Sequence, residues 1–239
     1  MRKKIVDNTV VNALYKFALE EEKEWRRCKE NRHDVLLIDE LLRELRKFGY
    51  KYRHYADLTN RENNDQELWN VVMRYIGRFD DEGISAELVG VIGKKGNYAA
   101  TEIILDDYIN CSEENRKKQS VFYDNALYQI KDKRYIDRYL KLLSDPNKAI
   151  RLPLTMSLLG KWQVKEAKEY FFEYLDSDLK RFSNSTDDLV FHSLKALSYY
   201  KDLEEKYILK IKTKLLSDDP DLILAAKKAL KKLNIDTGS

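Results

Sequence analysis

The stretch "LLSDPNKAIRLPLTMSLLGKW", Leu142–Trp162, joins an Asp-Pro helix start to a run that is apolar on nearly every side. Asp145 has the side chain to cap the helix, and Pro146 in the first turn sacrifices only an N–H that has no partner there. Beyond them Ala149, Ile150, Leu152, Leu154, Met156, Leu158 and Leu159 surround a lone Arg151. A helix with no polar face is covered on several sides, so this one is expected to lie inside an array of helices. Pro153 falls within the run. A proline there removes one backbone hydrogen bond, at about 3 kcal/mol in an exposed helix, so a kink is expected. Arg151 is expected to be buried and paired, since an unpaired buried charge is very costly.

The pattern around this stretch recurs twice. "YIDRYLKLLSDPNKAIRLPLTMSLLGK", "AKEYFFEYLDSDLKRFSNSTDDLVFHSLKALSYY" and "YILKIKTKLLSDDPDLILAAKKALKKL" share one plan. Each has an amphipathic helix, an acidic turn, and a second helix ending in an Ala/Leu-rich motif. Pro146 and Pro220 stand 74 positions apart, or two units of about 37, close to two-helix solenoid repeats. The middle unit carries a longer turn, "LKRFSNS".

On these residues the chain resembles the HEAT-repeat family. The match lies in Asp145-Pro146, in Arg151 six positions after the aspartate, and in "LLG" (Leu158–Gly160) closing the unit. It is clearest over residues 133–234. The resemblance implies an all-α fold, an α-α superhelix of roughly six antiparallel helix pairs, with a buried Asp/Arg ladder between units. It implies one domain over residues 1–239, with divergent helices and a cap in 1–111 and clearer repeats in 112–239.

The rest of the sequence is consistent with that class. Eight glycines and three prolines in 239 residues leave little material for strands and turns. Helical stripes recur at Leu14, Phe17, Ala18, Trp25 and Cys28, then at Val35, Ile38, Leu41, Leu42, Leu45 and Phe48. Another runs through Leu68, Trp69, Val72, Tyr75, Ile76 and Phe79, after the polar segment "KYRHYADLTNRENND". Such spacing gives each helix one face to bury. About a dozen helices are expected.

Lysine and arginine (44) nearly balance aspartate and glutamate (41). Up to Ser120 the basic and acidic counts are 22 and 23; beyond it they are 22 and 18. This mild basicity is less than a dedicated nucleic-acid binder shows. Cys28 and Cys111 fit no disulfide framework, and no apolar run reaches membrane-spanning length, so a cytoplasmic setting is expected. His33, His54 and His192 are far apart, and no zinc, phosphate-loop or nucleophile motif occurs. Hence no catalytic, cofactor or metal residue is expected.

Candidate partner-binding residues are Arg151, Trp162, Asp188, His192, Lys195 and Tyr199. The last four follow i, i+4, i+7 and i+11 spacing, which places them along one helix face. Tyrosines in "GYKYRHY" and "SYYKD", interleaved with charges, are expected to be exposed, and such residues favour interfaces. The leading expectation is a non-enzymatic bacterial scaffold that binds another protein, with an immunity protein that neutralises a toxin domain as its specialised form. A second reading follows from similarity in length and helicity to the HEAT-like alkylpurine DNA glycosylases, with Arg151, Trp162 and Asp187 or Asp188 recruited. A third is an accessory protein acting on another protein's cofactor through Asp188 and His192.

Overall fold

Thirteen α-helices lie wholly within residues 20–21, 23–59, 65–179 and 188–235, which the computed structural model describes; no β-strand occurs among them. In chain order they are α1 (Arg32–Lys47), α2 (Ala56–Thr59), α3 (Gln66–Met73), α4 (Glu82–Ile92), α5 (Ala100–Asn110), α6 (Glu113–Ile130) and α7 (Ile136–Leu143). There follow α8 (Pro146–Ala149), α9 (Pro153–Lys161), α10 (Lys165–Glu173), α11 (Leu189–Leu197), α12 (Glu205–Thr213) and α13 (Pro220–Lys232). The Leu14, Phe17 and Ala18 stripe and the "RFSNS" turn fall outside the described residues. Trp25 is within them and packs against the core.

Side-chain caps start many of these helices. Asp65, Asp81, Ser112, Asp145, Asp188 and Asp219 each accept a hydrogen bond from a first-turn N–H, which satisfies donors that have no partner within the helix.

The continuous helix expected from Asp145-Pro146 to Trp162 is two helices. α8 stops at Ala149, and Pro153 is the first residue of α9 instead of a kink within one helix. Leu152 causes the break: its φ of −124° and ψ of 52° lie outside the helical region, which the proline ring disfavours for the residue before it. Pro153 needs no hydrogen-bond acceptor at that position. Every residue from Thr155 to Gly160 is buried, as the absence of a polar face requires.

Neighbour relations follow chain order. α4 packs on α6, α6 on α9, α9 on α11 and α11 on α13, while α3, α5, α7, α10 and α12 each pack against one or two members of that file. One buried cluster runs from Leu37 to Leu230. Each fully buried leucine, isoleucine or phenylalanine contributes about 1.5–3 kcal/mol.

Two close backbone approaches set the file. A Cβ on Gly93 would lie 2.2 Å from the Ala126 Cβ, joining α4 to α6. A Cβ on Gly160 would lie 2.4 Å from the Ala196 carbonyl oxygen, joining α9 to α11.

Carboxylates, buried at Asp34 and Asp124 and half-buried at Glu82, bridge helices that are distant in sequence. Asp34 accepts from the backbone N–H groups of Asp80 and Asp81, each at 2.8 Å, just before α4. Glu82 accepts from the Ser112 N–H at 2.9 Å, just before α6. Asp124 accepts from Leu154 and Thr155 N–H and from the Thr155 hydroxyl, all at 2.8 Å, at the start of α9. Asp145, by contrast, caps its own short helix and lies 3.4 Å from Lys148.

The tyrosine-rich segment near residue 50 is less exposed than expected. Tyr52 is buried and stacks on half-buried Tyr50 at 5.8 Å. The polar segment also contains α2, which buries Leu58. In "SYYKD", Tyr199 is half-buried, whereas Tyr200 is buried and donates to the Val164 carbonyl at 2.7 Å.

Candidate functional site

Helix C-termini attract cations, because unpaired carbonyls leave partial negative charge there. In this fold four neighbouring helices carry lysine in that position. Lys131 is the C-cap of α6, Lys161 ends α9, Lys195 lies in the last turn of α11, and Lys232 ends α13. Because α6, α9, α11 and α13 are consecutive neighbours, the lysines meet around two tyrosines.

The Lys131 and Lys161 ammonium groups lie 5.1 Å and 4.9 Å from the Tyr128 ring centre. Lys161 is also 5.3 Å from the Tyr199 ring, and Lys232 is 3.0 Å from it. The order along this strip is Lys131, Tyr128, Lys161, Tyr199, Lys232. Ring faces carry partial negative charge and attract each neighbouring cation by about 0.5–1 kcal/mol at exposed sites. Lys161 also donates to the Tyr128 hydroxyl at 2.7 Å.

The electrostatics record the crowding. The Lys232 ammonium titrates below the usual lysine value, through burial first and then the charges of Lys161 and Lys195. Tyr128 titrates below the usual tyrosine value, chiefly because Lys161 donates to its hydroxyl. Among the described residues no carboxylate stands within 4.0 Å of the Lys131, Lys161, Lys195, Lys228 or Lys232 ammonium groups. Some lysines elsewhere are paired, as in Lys210–Asp176 at 2.6 Å and Lys168–Glu204 at 2.5 Å.

Beside the strip, between α11 and α13, lies a hollow of about 300 Å³. Phe191, Tyr199, Ala225 and Ala229 line its apolar part, and Lys195, Lys228 and Lys232 its rim.

Of the six residues singled out in the sequence, Lys195 and Tyr199 belong to this site. His192 does not share their face to solvent: it is 6% exposed, and its ring meets the Phe191 edge at 5.8 Å. Asp188 is a helix cap, accepting from the Phe191 N–H at 2.7 Å. Trp162 turns to the flanking layer, 6.1 Å from the Tyr139 ring, with the Lys133 ammonium 5.6 Å away.

Arg151 is half-buried and precedes α9, whereas Trp162 follows it. Nine helical residues at 1.5 Å each separate their ends. Arg151 lines a polar cleft of about 240 Å³ with Glu113, Arg116, Lys117, Asp145 and Lys148, and its charge lowers the Glu113 titration after the larger effect of Lys117. Asp187 lies outside the described residues.

Tyr128, Lys131, Lys161, Phe191, Lys228 and Lys232 were missed. For Lys161 and Lys232 the sequence signal is a lysine in the final turn of the helix, visible in "LLGKW" and "ALKKL" as it is for Lys195 in "LKALSYY".

Two other groupings have chemical potential. Donor atoms of His33, Asp34 and Asp80 lie within 4.8 Å of one another. Both Asp34 oxygens already accept backbone N–H groups, and His33 Nε2 lies 3.2 Å from the Arg78 carbonyl oxygen. Asp107 titrates above the usual carboxylate value through burial, despite the Tyr123 hydroxyl donating to it at 2.7 Å. It lines a cleft of about 320 Å³ with Glu82, Asp106 and Cys111. No helix among the described residues is long and apolar enough to cross a membrane. Compared with known families, curated proteins and solved structures, the chain matches none.

Proposed function

We propose that the chain is a non-enzymatic binding scaffold that engages an acidic surface of another protein through the strip formed by Lys131, Tyr128, Lys161, Tyr199 and Lys232. In this reading the helices form a HEAT-like α-solenoid of about six pairs, with α4, α6, α9, α11 and α13 as its inner layer. Residues 1–239 act as one domain, and repeat arrays of this kind present extended surfaces without a reaction centre. The observation that carries the reading is the crowding of lysines without carboxylate partners in a chain of nearly balanced charge. Acidic groups of a partner would relieve the mutual repulsion.

The lysines alone suit carboxylate or phosphate; the apolar hollow beside them favours a protein side chain over a base. A toxin domain with an acidic face is the specialised partner.

The test is affinity capture from nuclease-treated lysate with the wild-type chain and a K161E/K195E/K232E variant. The reading expects one stoichiometric protein, retained by the wild type and lost by a variant of unchanged helicity. Retention by both, or recovery of nucleic acid alone when nuclease is omitted, would contradict it.

A further inference from the structure

We infer that the hollow between α11 and α13 seats one aromatic or branched apolar side chain of the partner, while acidic residues flanking that anchor pair with Lys195, Lys228 and Lys232. The inference rests on the reading of the strip as a surface for an acidic protein, and adds a required anchor.

The floor is built from small residues. Ala225 and Ala229 stand one turn apart on α13, so their methyl groups share one face, and both are buried. A leucine at either position would extend into the hollow that these methyls leave open. The walls are rings. Phe191 lies on α11 and Tyr199 in the turn that follows it, and both line the hollow, with Lys232 held over Tyr199 at 3.0 Å. The volume, about 300 Å³, has room for one large side chain.

The chemistry of the floor selects that occupant over a nucleobase. A base carries ring nitrogens and exocyclic groups that need partners when buried, and methyl groups offer none. Of the two hydroxyls in the lining, on Ser198 and Tyr199, that of Ser198 already donates to the Lys195 carbonyl at 2.7 Å. The rim is entirely cationic in its charged groups, so the chain segments entering and leaving the hollow are met by lysine. Apolar centre and basic rim together describe an acidic segment with a single apolar anchor, the arrangement in which interface energy is concentrated in a central residue.

The probes are acetylated, amidated, fluorescein-labelled peptides EEDEEFEEDEE and EEDEEAEEDEE, titrated by anisotropy at 50 mM salt against the wild type, A229L and F191S. The inference expects the phenylalanine peptide to bind the wild type at least tenfold more tightly than the alanine peptide. A229L, which fills the hollow, should reduce that ratio to near one without weakening the alanine peptide. F191S should reduce it by opening a wall and serves as the second variant should A229L fail to fold. Equal affinities of the two peptides for the wild type would overturn the anchor and leave the acidic-strip reading standing. No binding of either peptide would overturn both. An oligothymidylate probe that binds the wild type more tightly than the peptides and is weakened by A229L would assign the hollow to a base and overturn the inference.

Discussion

The Asp124 carboxylate lies 2.8 Å from both the backbone nitrogen and the hydroxyl of Thr155, although 31 positions of sequence separate the two residues. With its second oxygen on the Leu154 N–H at 2.8 Å, Asp124 supplies the N-terminal cap that α9 cannot supply itself. Leu152 has no capping side chain, and Pro153 has no N–H.

Asp124→Ala is therefore expected to destabilise more than an ordinary cap loss. Two buried N–H groups and a hydroxyl would lose their acceptor, at about 1–3 kcal/mol for each unsatisfied group. Asp124→Asn keeps one carbonyl oxygen and should cost less. Thr155→Val removes one donor and should cost about 1 kcal/mol. Urea unfolding of the three variants checks the ranking, and amide exchange at Leu154 and Thr155 should accelerate only in the Asp124 variants. A harmless Asp124→Ala would refute this account of the junction.

Gly160 makes a second prediction. A methyl group there would meet the Ala196 carbonyl oxygen at 2.4 Å, so Gly160→Ala should force α9 and α11 apart. Overpacking of this kind costs about 1–3 kcal/mol, even though alanine favours helix over glycine. Leu216→Ser, at a side chain 86% exposed, should change stability by less than about 0.5 kcal/mol. Thermal unfolding of both variants tests the contrast; similar effects would contradict it.

Asp132 gives stability a dependence on acid. Its side chain is 3% exposed and pairs with Arg134 at 2.7 Å. Hydrogen bonds from Arg134 hold its carboxyl below the ordinary value of about 4, as does the Thr101 hydroxyl at 3.2 Å. Since the folded value lies below the unfolded one, the contribution is complete above about pH 4 and fades as pH falls through the lower folded value. Asp132→Asn should thus lower the Tm at pH 7, and its difference from the wild type should shrink progressively as the pH falls below about 4. A difference independent of pH would contradict the assignment.

Lys131 sets stability against binding. Its φ of 59° is left-handed, a conformation that glycine adopts without strain. Lys131→Gly should leave the fold unchanged or stabilise it by up to about 1 kcal/mol, while weakening capture of an acidic partner by removing one end of the strip. Denaturant unfolding and binding measured on the same variant separate the two effects. A destabilised variant, or full retention of the partner, would count against the proposed role.

The helices were legible because their apolar spacing states which face is buried, and the all-buried run Thr155–Gly160 was legible for the same reason. The break at Leu152 was also written in the sequence, in the restriction that Pro153 imposes on its neighbour, but was outweighed by the continuous apolar pattern. Asp124 was not legible. It sits mid-helix with no local signal of its partner, and only the crossing of α6 with α9 brings it to Thr155. The strip was half legible: Lys195 and Tyr199 share a face by spacing, whereas Lys161 and Lys232 reach Tyr199 from other helices. His192 was misplaced because i, i+4 spacing identifies a shared face without saying which neighbour covers part of it.

The most direct test of the proposed binding surface is lysine-selective acetylation of the complex with its captured partner, read by mass spectrometry against the free chain. The account predicts severalfold protection of Lys131, Lys161, Lys195, Lys228 and Lys232, with Lys118 and Lys206 as reactive as before. Protection centred on Lys117 and Lys148, with the strip still reactive, would place the partner on the Arg151 cleft and contradict the account.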